Sequence, residues 1–442
     1  MGVVLVLEGF RGSETIGTSA AWPLAQALAA SVALWLAWRR REQLRLRPVL
    51  GLGLALQLGW IALHLALGVQ GDGDPLNVYR IEGESLLHGT YPHSEYPPGA
   101  VALFTLEAAL GRGAPTTPNA FLMVPFQLLC VWGIWSLRTR WSPFLAAFVA
   151  LWPLDAYYWQ FRFDLVPTGL LVAGLLLAVR GSWYESGFAL GLGACVKWTP
   201  GLAAIAILLW LARTRQARQL VTALVGMLIP VLVANLPVLL WDRSAFVAAY
   251  TRQDARTVTA ESAPYLVLRL VSHARPEYWY FGAARNVSRF ENTLVVLVQV
   301  VCVLLVIGLA ALATSRVAAV ALAGLAPAAF LLGNRIFSPQ FFVLVVAVLA
   351  VAAALVAERE LEVLLLAAAC AVSTTANTIL YQSLLGAHMV VGAYHGWTFI
   401  SAAAFVPVAA LILWLAFRAF DRWPAAPRRG RALRAAPSGA DP

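Results

Sequence analysis

Residues 186–212, SGFALGLGACVKWTPGLAAIAILLWLA, decide how the chain crosses a membrane. Read as one helix, the stretch is about 39 Å long at ~1.5 Å per residue, which suits a single tilted span. Read as two half-helices, it is a hairpin broken at KWTPG, Lys197 to Gly201. Broken helices are tolerated inside membranes where they line a protein cavity, and their ends are common ligand sites. The choice matters because it fixes the side on which every later loop lies.

The rest of the chain has the composition of a membrane protein. Of its 442 residues 60% are hydrophobic and only 12% are charged, and the mean hydropathy is +0.74. Apolar runs repeatedly reach the roughly 20 residues that a helical span needs. We therefore expect an all-α polytopic membrane protein with about 12 to 13 spans. The predicted spans are 20–38, 48–69, 119–137, 142–156, 165–179, 186–197, 198–212, 219–241, 293–313, 317–332, 341–357, 361–380 and 398–417.

The arginines give this scheme an orientation. With the hairpin broken, nineteen basic residues in short loops and the C-terminal segment share one side, against six in the other short segments. Short cytoplasmic loops are rich in Lys and Arg, so we expect that side to be the cytoplasm. A single helix at 186–212 would remove the bias. The prediction is a bacterial plasma membrane protein with its C-terminus inside and loops 70–118, 242–292, 333–340 and 381–397 outside.

Several classes of protein are excluded or disfavoured. The net charge of +10 arises from clusters beside the spans, as in membrane anchoring, so we expect no nucleic-acid partner. The four cysteines lie in apolar segments and indicate buried thiols, with neither disulfides nor a metal cluster. The first ten residues are too short an apolar stretch for a signal peptide, so insertion is expected to rely on the first span. We predict one domain over 1–423 and a disordered basic cytoplasmic tail over 424–442.

A polar island lies between the second and third predicted spans. Residues 71–99, GDGDPLNVYRIEGESLLHGTYPHSEYPPG, hold five carboxylates and two histidines, far more than a connection needs. We interpret the loop, about 70–118, as catalytic, with short helices lying in the interface. A carboxylate there could take the proton of an attacking hydroxyl. Asp74 is the first candidate and Asp72 the second, although either could simply cap a turn or helix.

Three cations could form a binding site for a phosphate. Lys197 is the only lysine and lies inside an apolar segment, where a charge is costly and usually functional. A lysine that snorkels from a helix end is the alternative. Arg162, in RFDLVP, and Arg335, in NRIFSPQ, lie on the same predicted face. Arg162 and Asp164 could instead form an inconsequential ion pair. Together the three cations would clamp a phosphate or diphosphate.

These motifs resemble the GT-C superfamily of membrane glycosyltransferases, and within it glycosyltransferase family 87, polyprenyl-phosphate-sugar-dependent alpha-mannosyltransferases. The similar elements are Asp74 and Tyr79 with SLLHGTYPHSEYPPG, RFDLVP (162–167), GLGACVKWTPG (191–201) and IFSPQFF (336–342). The resemblance implies a catalytic aspartate, a polyprenyl-phosphate-linked sugar donor, inversion at the sugar, and neither nucleotide nor metal. Tyr79 is five residues after Asp74 where the family usually has four, which keeps Asp72 open as the base.

The function expected from the sequence is transfer of a hexose from polyprenyl phosphate to a lipid- or glycan-linked hydroxyl on the outer face. Mannose is the first candidate for that hexose. Lys197, Arg162 and Arg335 would hold the donor phosphate. The residues expected to contact substrate are Tyr79, His88, Glu95, Tyr96, Asp164 and Gln340. No cofactor or metal is expected, since no metal-binding or nucleotide-binding motif is present. A flippase for lipid-linked sugars is the alternative, because it would also need a broken helix and an intramembrane lysine. An inactive assembly partner is the third possibility.

Overall fold

The computed structural model describes residues 21–67, 75–111, 116–152, 162–252, 256, 258–259, 262–272, 287–385 and 397–421. Within these ranges the regular structure is helical, with seventeen α-helices, a 3-10 turn at Arg41–Gln43 and a π-helix at Pro75–Tyr79. The all-α architecture expected from the sequence is confirmed. The tail predicted to be disordered, 424–442, lies outside the described residues.

The helices coincide with the apolar runs. In chain order they are α1 (Ala21–Arg39), α2 (Leu46–Leu67), α3 (Arg80–Leu87), α4 (Pro98–Leu110), α5 (Thr116–Trp135), α6 (Ser142–Leu151), α7 (Leu165–Arg180), α8 (Trp183–Val196), α9 (Thr199–Arg213), α10 (Ala217–Trp241), α11 (Arg243–Thr251), α12 (Ala263–Ser272), α13 (Arg289–Leu312), α14 (Arg316–Gly333), α15 (Phe341–Val356), α16 (Glu360–Leu385) and α17 (Trp397–Asp421). Each of the thirteen predicted spans is one of these helices. The prediction was too long at α6, which ends at Leu151 and not at 156.

Two kinds of apolar helix build the bundle. Seven helices, α2, α5, α10, α13, α14, α16 and α17, are long and apolar enough to cross a membrane. Shorter apolar helices include α15, in which every residue from Phe342 to Val356 is buried. Its 16 residues extend about 24 Å, less than the ~30 Å hydrocarbon core. A helix enclosed by other helices contacts protein and not lipid, so it need not match the bilayer thickness.

Helices α8 and α9 are the two arms of a hairpin. α8 ends at Val196, Lys197 has extended torsion angles (φ −152°, ψ 120°), and α9 begins at Thr199. The arms run back along each other, since the rings of Trp183 and Trp210, at their far ends, are 6.1 Å apart. The prediction of two half-helices broken at Lys197 is confirmed.

Arginine-rich loops meet at one end of the bundle, which we call the basic end. Glu360 accepts hydrogen bonds from Arg41 at 2.7 Å and from Arg140 at 3.1 Å. Arg418 forms ion pairs with Glu358 and with Glu362, at 3.1 and 3.0 Å. These contacts join the starts of α2, α6 and α16 to the end of α17. They bring together arginines that the sequence assigns to one side of the membrane.

The α7 to α9 region reaches the same end. Arg180 donates to the Ser136 carbonyl at 3.0 Å, and Arg213 donates to the Ala313 carbonyl at 2.8 Å. Lys197 is fourteen residues from Trp183, so the break lies about 21 Å further along the bundle. We call that opposite end the site end. The side of the membrane that each end faces stays a prediction.

Close backbone approach packs the polar loop against the bundle. A Cβ at Gly83 would lie 2.2 Å from the Phe104 carbonyl oxygen, so α3 contacts α4 almost backbone to backbone. A Cβ at Gly99 would lie 2.6 Å from the Cys195 carbonyl oxygen. Only glycine fits these two positions without a shift of backbone. The Pro-Pro-Gly turn therefore packs against α8 two residues before Lys197.

All four cysteines are free. Cys130, Cys195 and Cys370 are buried, as predicted. Cys302 is exposed, so the prediction of a buried thiol is wrong there. The reason is that α13 lies at the outside of the bundle and buries little of its surface.

Candidate active site

The two aspartates predicted to act as the base, Asp74 and Asp72, lie outside the described residues. The described chain resumes with the π-helix Pro75–Tyr79, which continues directly into α3. The helical pattern expected after Asp74 is therefore present. The role of either aspartate stays a prediction.

Four rings form what we call the aromatic wall: Tyr79, Tyr96, Phe104 and Phe163. Tyr79 is 2% exposed and stacks on Phe104 with ring centroids 4.2 Å apart. Tyr96 meets Phe104 and Phe163 edge to face, each at 5.4 Å. The wall joins the polar loop to the segment that begins α7. It places Tyr79, a predicted substrate contact, in the core of this junction and Tyr96 at its edge.

Lys197 forms an ion pair with Asp164, the residue before α7. The side chain of Asp164 is 5% exposed and that of Lys197 is 18% exposed. The lysine Nζ also lies 4.0 Å from the centroid of Phe341 and 5.7 Å from that of Phe163, in the aromatic wall. Lys197 is therefore held inside the site end by a carboxylate and two rings. This geometry disfavours the snorkelling alternative.

The other predicted cations lie on segments that adjoin this pair. Arg162 is 6% exposed and precedes Asp164 by two residues. Arg335 is half-buried in the connection that ends at Gln340 and Phe341. Gln340 is 7% exposed, and its Oε1 has no hydrogen bond with the described residues. The three connections that carry the predicted phosphate ligands thus converge beside Lys197.

A second ion pair ties the polar loop to the connection that follows α11. Arg256 Nη2 lies 2.6 and 2.5 Å from the two carboxylate oxygens of Glu95. Three residues later, the Thr259 amide donates to the Arg335 carbonyl at 2.8 Å. Arg252 donates to the His93 carbonyl oxygen as well. Glu95, a predicted substrate contact, is therefore engaged with Arg256, and this short segment links it to the Arg335 loop.

His88 lies apart from these groups. It is exposed at the C-terminal end of α3, and its Nδ1 is 2.8 Å from the Glu84 carbonyl oxygen. Within the described part of the chain it contacts neither Lys197 nor the aromatic wall. The structure gives it a position at a helix end, and a substrate contact there stays a prediction.

Glu82 is a site-end carboxyl that the sequence did not single out. It accepts a hydrogen bond from the Ser94 hydroxyl at 2.6 Å, and Ser94 is fully buried. Burial, opposed by the hydrogen bond from Ser94, raises the pKa of Glu82 to about 7. Its spacing from Tyr79 and Leu86, three and four residues, puts it on the apolar face of the helix. That spacing is the signal that could have distinguished it from Glu84.

Tyr96 lies near the carboxylates of both Glu82 and Asp164. Its amide donates to Ser94 Oγ at 2.9 Å, which links it to Glu82. Burial first, and then the nearby carboxylates of Glu95, Glu82 and Asp164, hold the pKa of Tyr96 far above its ordinary value. Its hydroxyl therefore stays protonated. A protonated hydroxyl can donate a hydrogen bond.

The fold and site together define an integral membrane protein with a polar, aromatic-lined site at one end of a helix bundle. The model of glycosyltransferase family 87 matches residues 95–339, more than half of the chain, and the chain belongs to this family. The matched range includes Glu95, Tyr96, Asp164 and Lys197. No curated protein matches the chain. The protein is a membrane glycosyltransferase.

Proposed function

We propose that the protein transfers a hexose, in the first instance mannose, from a polyprenyl-phosphate donor to a lipid- or glycan-linked hydroxyl on the outer face of the membrane. The observation that carries the proposal is the buried pair of Lys197 and Asp164 at the break of the hairpin. A charged pair inside a helix bundle is costly to desolvate and is retained where it serves a function.

The cations near the hairpin break support a phosphate ligand. Lys197 lies at the break, and Arg162 and Arg335 lie on the two connections that adjoin it. Positively charged side chains there suit an anion. The donor is a phosphodiester with one negative charge, and the leaving phosphate monoester gains more. Cations placed where negative charge develops lower the barrier, since they bind the transition state better than the ground state.

The transfer is a single displacement. The acceptor oxygen forms a bond to the anomeric carbon, the bond from that carbon to the phosphate oxygen breaks, and the configuration inverts. The electron pair of the broken bond stays on the polyprenyl phosphate, and the acceptor proton passes to a carboxylate. We assign that carboxylate to Asp74, with Asp72 as the second candidate, on the family resemblance.

The test is transfer by purified protein in lipid nanodiscs, supplied with a panel of polyprenyl-phosphate sugars and a synthetic alkyl glycoside acceptor. We expect product from the mannosyl donor, with free polyprenyl phosphate released in equal amount. Asp74→Asn should slow transfer roughly 10²- to 10⁴-fold, the usual contribution of a general base, while leaving donor binding intact. A protein that moves lipid-linked sugar across vesicles but makes no product with any donor would refute the proposal and favour a flippase.

A further inference from the structure

One carboxylate of the site end has no part in the transfer described above. Glu82 uses its Oε2 to accept the hydrogen bond from Ser94, and its other oxygen has no hydrogen bond with the described residues. The side chain is half-buried, so this oxygen is not lost in the core. Glu84, two residues away on the same short helix, is instead paired with Arg80 at 3.1 Å on the exposed side.

The position of Glu82 is fixed from two directions. Gly83 brings α3 into backbone contact with α4 at Phe104, which prevents the helix from shifting. Ser94 bonds to Glu82 and also accepts the Tyr96 amide, so the carboxyl group is tied to the turn that carries Glu95 and Tyr96. Tyr96 in turn contacts Phe163, whose ring faces Lys197. Glu82 is thus connected to Lys197 through Ser94, Tyr96 and Phe163.

We propose that Glu82 binds hydroxyl groups of the acceptor carbohydrate through the carboxylate oxygen that Ser94 leaves free. The inference rests on the proposed function and extends it to the acceptor. A carboxylate accepts hydrogen bonds only, so it suits the hydroxyls of a sugar and repels a phosphate. The donor phosphate is drawn to the cations beside Lys197, which leaves the Glu82 side for the acceptor.

The surroundings of Glu82 make this binding depend on pH. Among the described residues, the charged and titratable groups that interact with it are Glu95, Arg252, Tyr91 and Tyr96. With a pKa of about 7, Glu82 is largely ionised above neutral pH and protonated below it. Hydroxyl donors favour the ionised form, so the acceptor should bind more tightly at high pH. By the same linkage, bound acceptor should lower the pKa of Glu82.

The test compares Glu82→Gln with Glu84→Gln in nanodiscs, with polyprenyl-phosphate mannose as donor and octyl mannoside, below its micelle-forming concentration, as acceptor. Glu82→Gln keeps an oxygen for Ser94 but removes the charge. We expect its acceptor KM to rise about tenfold at about pH 8, the usual worth of a hydrogen bond to a charged group. The donor KM should stay within about twofold. Glu84→Gln should match the wild type.

The pH profile separates contact from structure. The wild-type acceptor KM should rise as the pH falls from about 8 to about 6, and the Glu82→Gln value should stay level. An unchanged acceptor KM, or a rise in the donor KM alone, would overturn the assignment.

Thermal stabilisation by octyl mannoside without donor tests binding independently of transfer. If the wild type transfers no sugar, the proposed function fails, and loss of this stabilisation in Glu82→Gln alone would still support the binding role. Equal stabilisation of both proteins, or of neither, would refute it.

Discussion

Two ion pairs, one at each end of the bundle, differ strongly in their exposure to water. At the basic end, Arg140 and Glu360 are paired while their side chains are 65% and 45% exposed. At the site end, Lys197 and Asp164 are paired at 18% and 5%. Exposed pairs contribute about 0–1 kcal/mol, because water screens them and the long side chains lose freedom. A buried pair must recover a desolvation cost of several kcal/mol from its mutual attraction.

The difference separates anchoring from function. Exposed arginines at the basic end, such as Arg140, are interchangeable in principle, since what matters for them is charge close to the membrane surface. The site end has one lysine, one aspartate and two rings in a fixed arrangement. Loss of either charged group, Lys197 or Asp164, leaves the other buried without a counter-charge. The comparison predicts that substitutions at the two ends differ in kind as well as in size.

The largest expected effect is qualitative and concerns orientation. We expect His88→Cys, at the site end, to react with a membrane-impermeant maleimide on intact cells. Gln43→Cys, at the basic end, should react only after the membrane is opened. Both positions are exposed. Both variants are made in a protein in which Cys302, the exposed natural cysteine, is replaced by alanine. The opposite labelling would place the site in the cytoplasm and remove the outer-face part of the proposal.

Lys197→Met should give the next largest effect. Removing one group that stabilises developing charge typically lowers turnover about 10²- to 10³-fold. Arg140→Met, at the basic end, is the matched control and should change transfer less than about twofold. The measurement is kcat/KM for the donor.

The double variant Lys197→Met with Asp164→Asn distinguishes two roles for the lysine. It removes both buried charges, so it should insert and fold better than Lys197→Met alone. It should nevertheless stay inactive, because no ammonium remains for the phosphate. Recovery of transfer in the double variant would mean that Lys197 merely balances Asp164.

Much of the helical architecture was available from the sequence because membrane spans are set by one strong signal. All thirteen apolar runs are helices, and the break at Lys197 is where the polar KWTPG stretch interrupts the hydrophobic pattern. The grouping of arginines at one end also follows from a simple rule. These features depend on local composition. They need no knowledge of which helices are neighbours.

The contacts within the site depend on tertiary packing and were only partly predictable. The sequence placed Lys197 and Asp164 on one predicted face but left open whether Asp164 pairs with Arg162 or is a substrate contact. Glu95 was expected to contact substrate, and only the fold shows its pair with Arg256, 161 residues away. Helical spacing from Tyr79 and Leu86 could have separated Glu82 from Glu84, but only the fold shows its hydrogen bond from Ser94.

Gly99→Ala should have a moderate effect on both stability and transfer. The added methyl group would meet the Cys195 carbonyl oxygen at 2.6 Å, and that backbone cannot move without shifting the end of α8 beside Lys197. Overpacking of this kind typically costs about 1–3 kcal/mol. Gly51→Ala is the control, since nothing lies within 4 Å of a Cβ there. Thermal unfolding in nanodiscs should show a loss of stability for Gly99→Ala only. Equal melting temperatures would contradict the close docking of the Pro-Pro-Gly turn.

The smallest effect is expected for Glu360→Gln, although Glu360 contacts two arginines. Arg41 and Arg140 can turn to water when the charge is removed, so no buried charge is left without a partner. The melting temperature should fall by less than about 2 °C, in line with the small worth of exposed pairs, and transfer should be unchanged. Asp164→Asn is the counterpart at the site end, and it leaves Lys197 buried without its carboxylate, so its loss of stability should be several times larger. If Glu360→Gln were the more damaging of the two, the basic end would be held together by its ion pairs, and the division between an anchoring end and a functional end would be wrong.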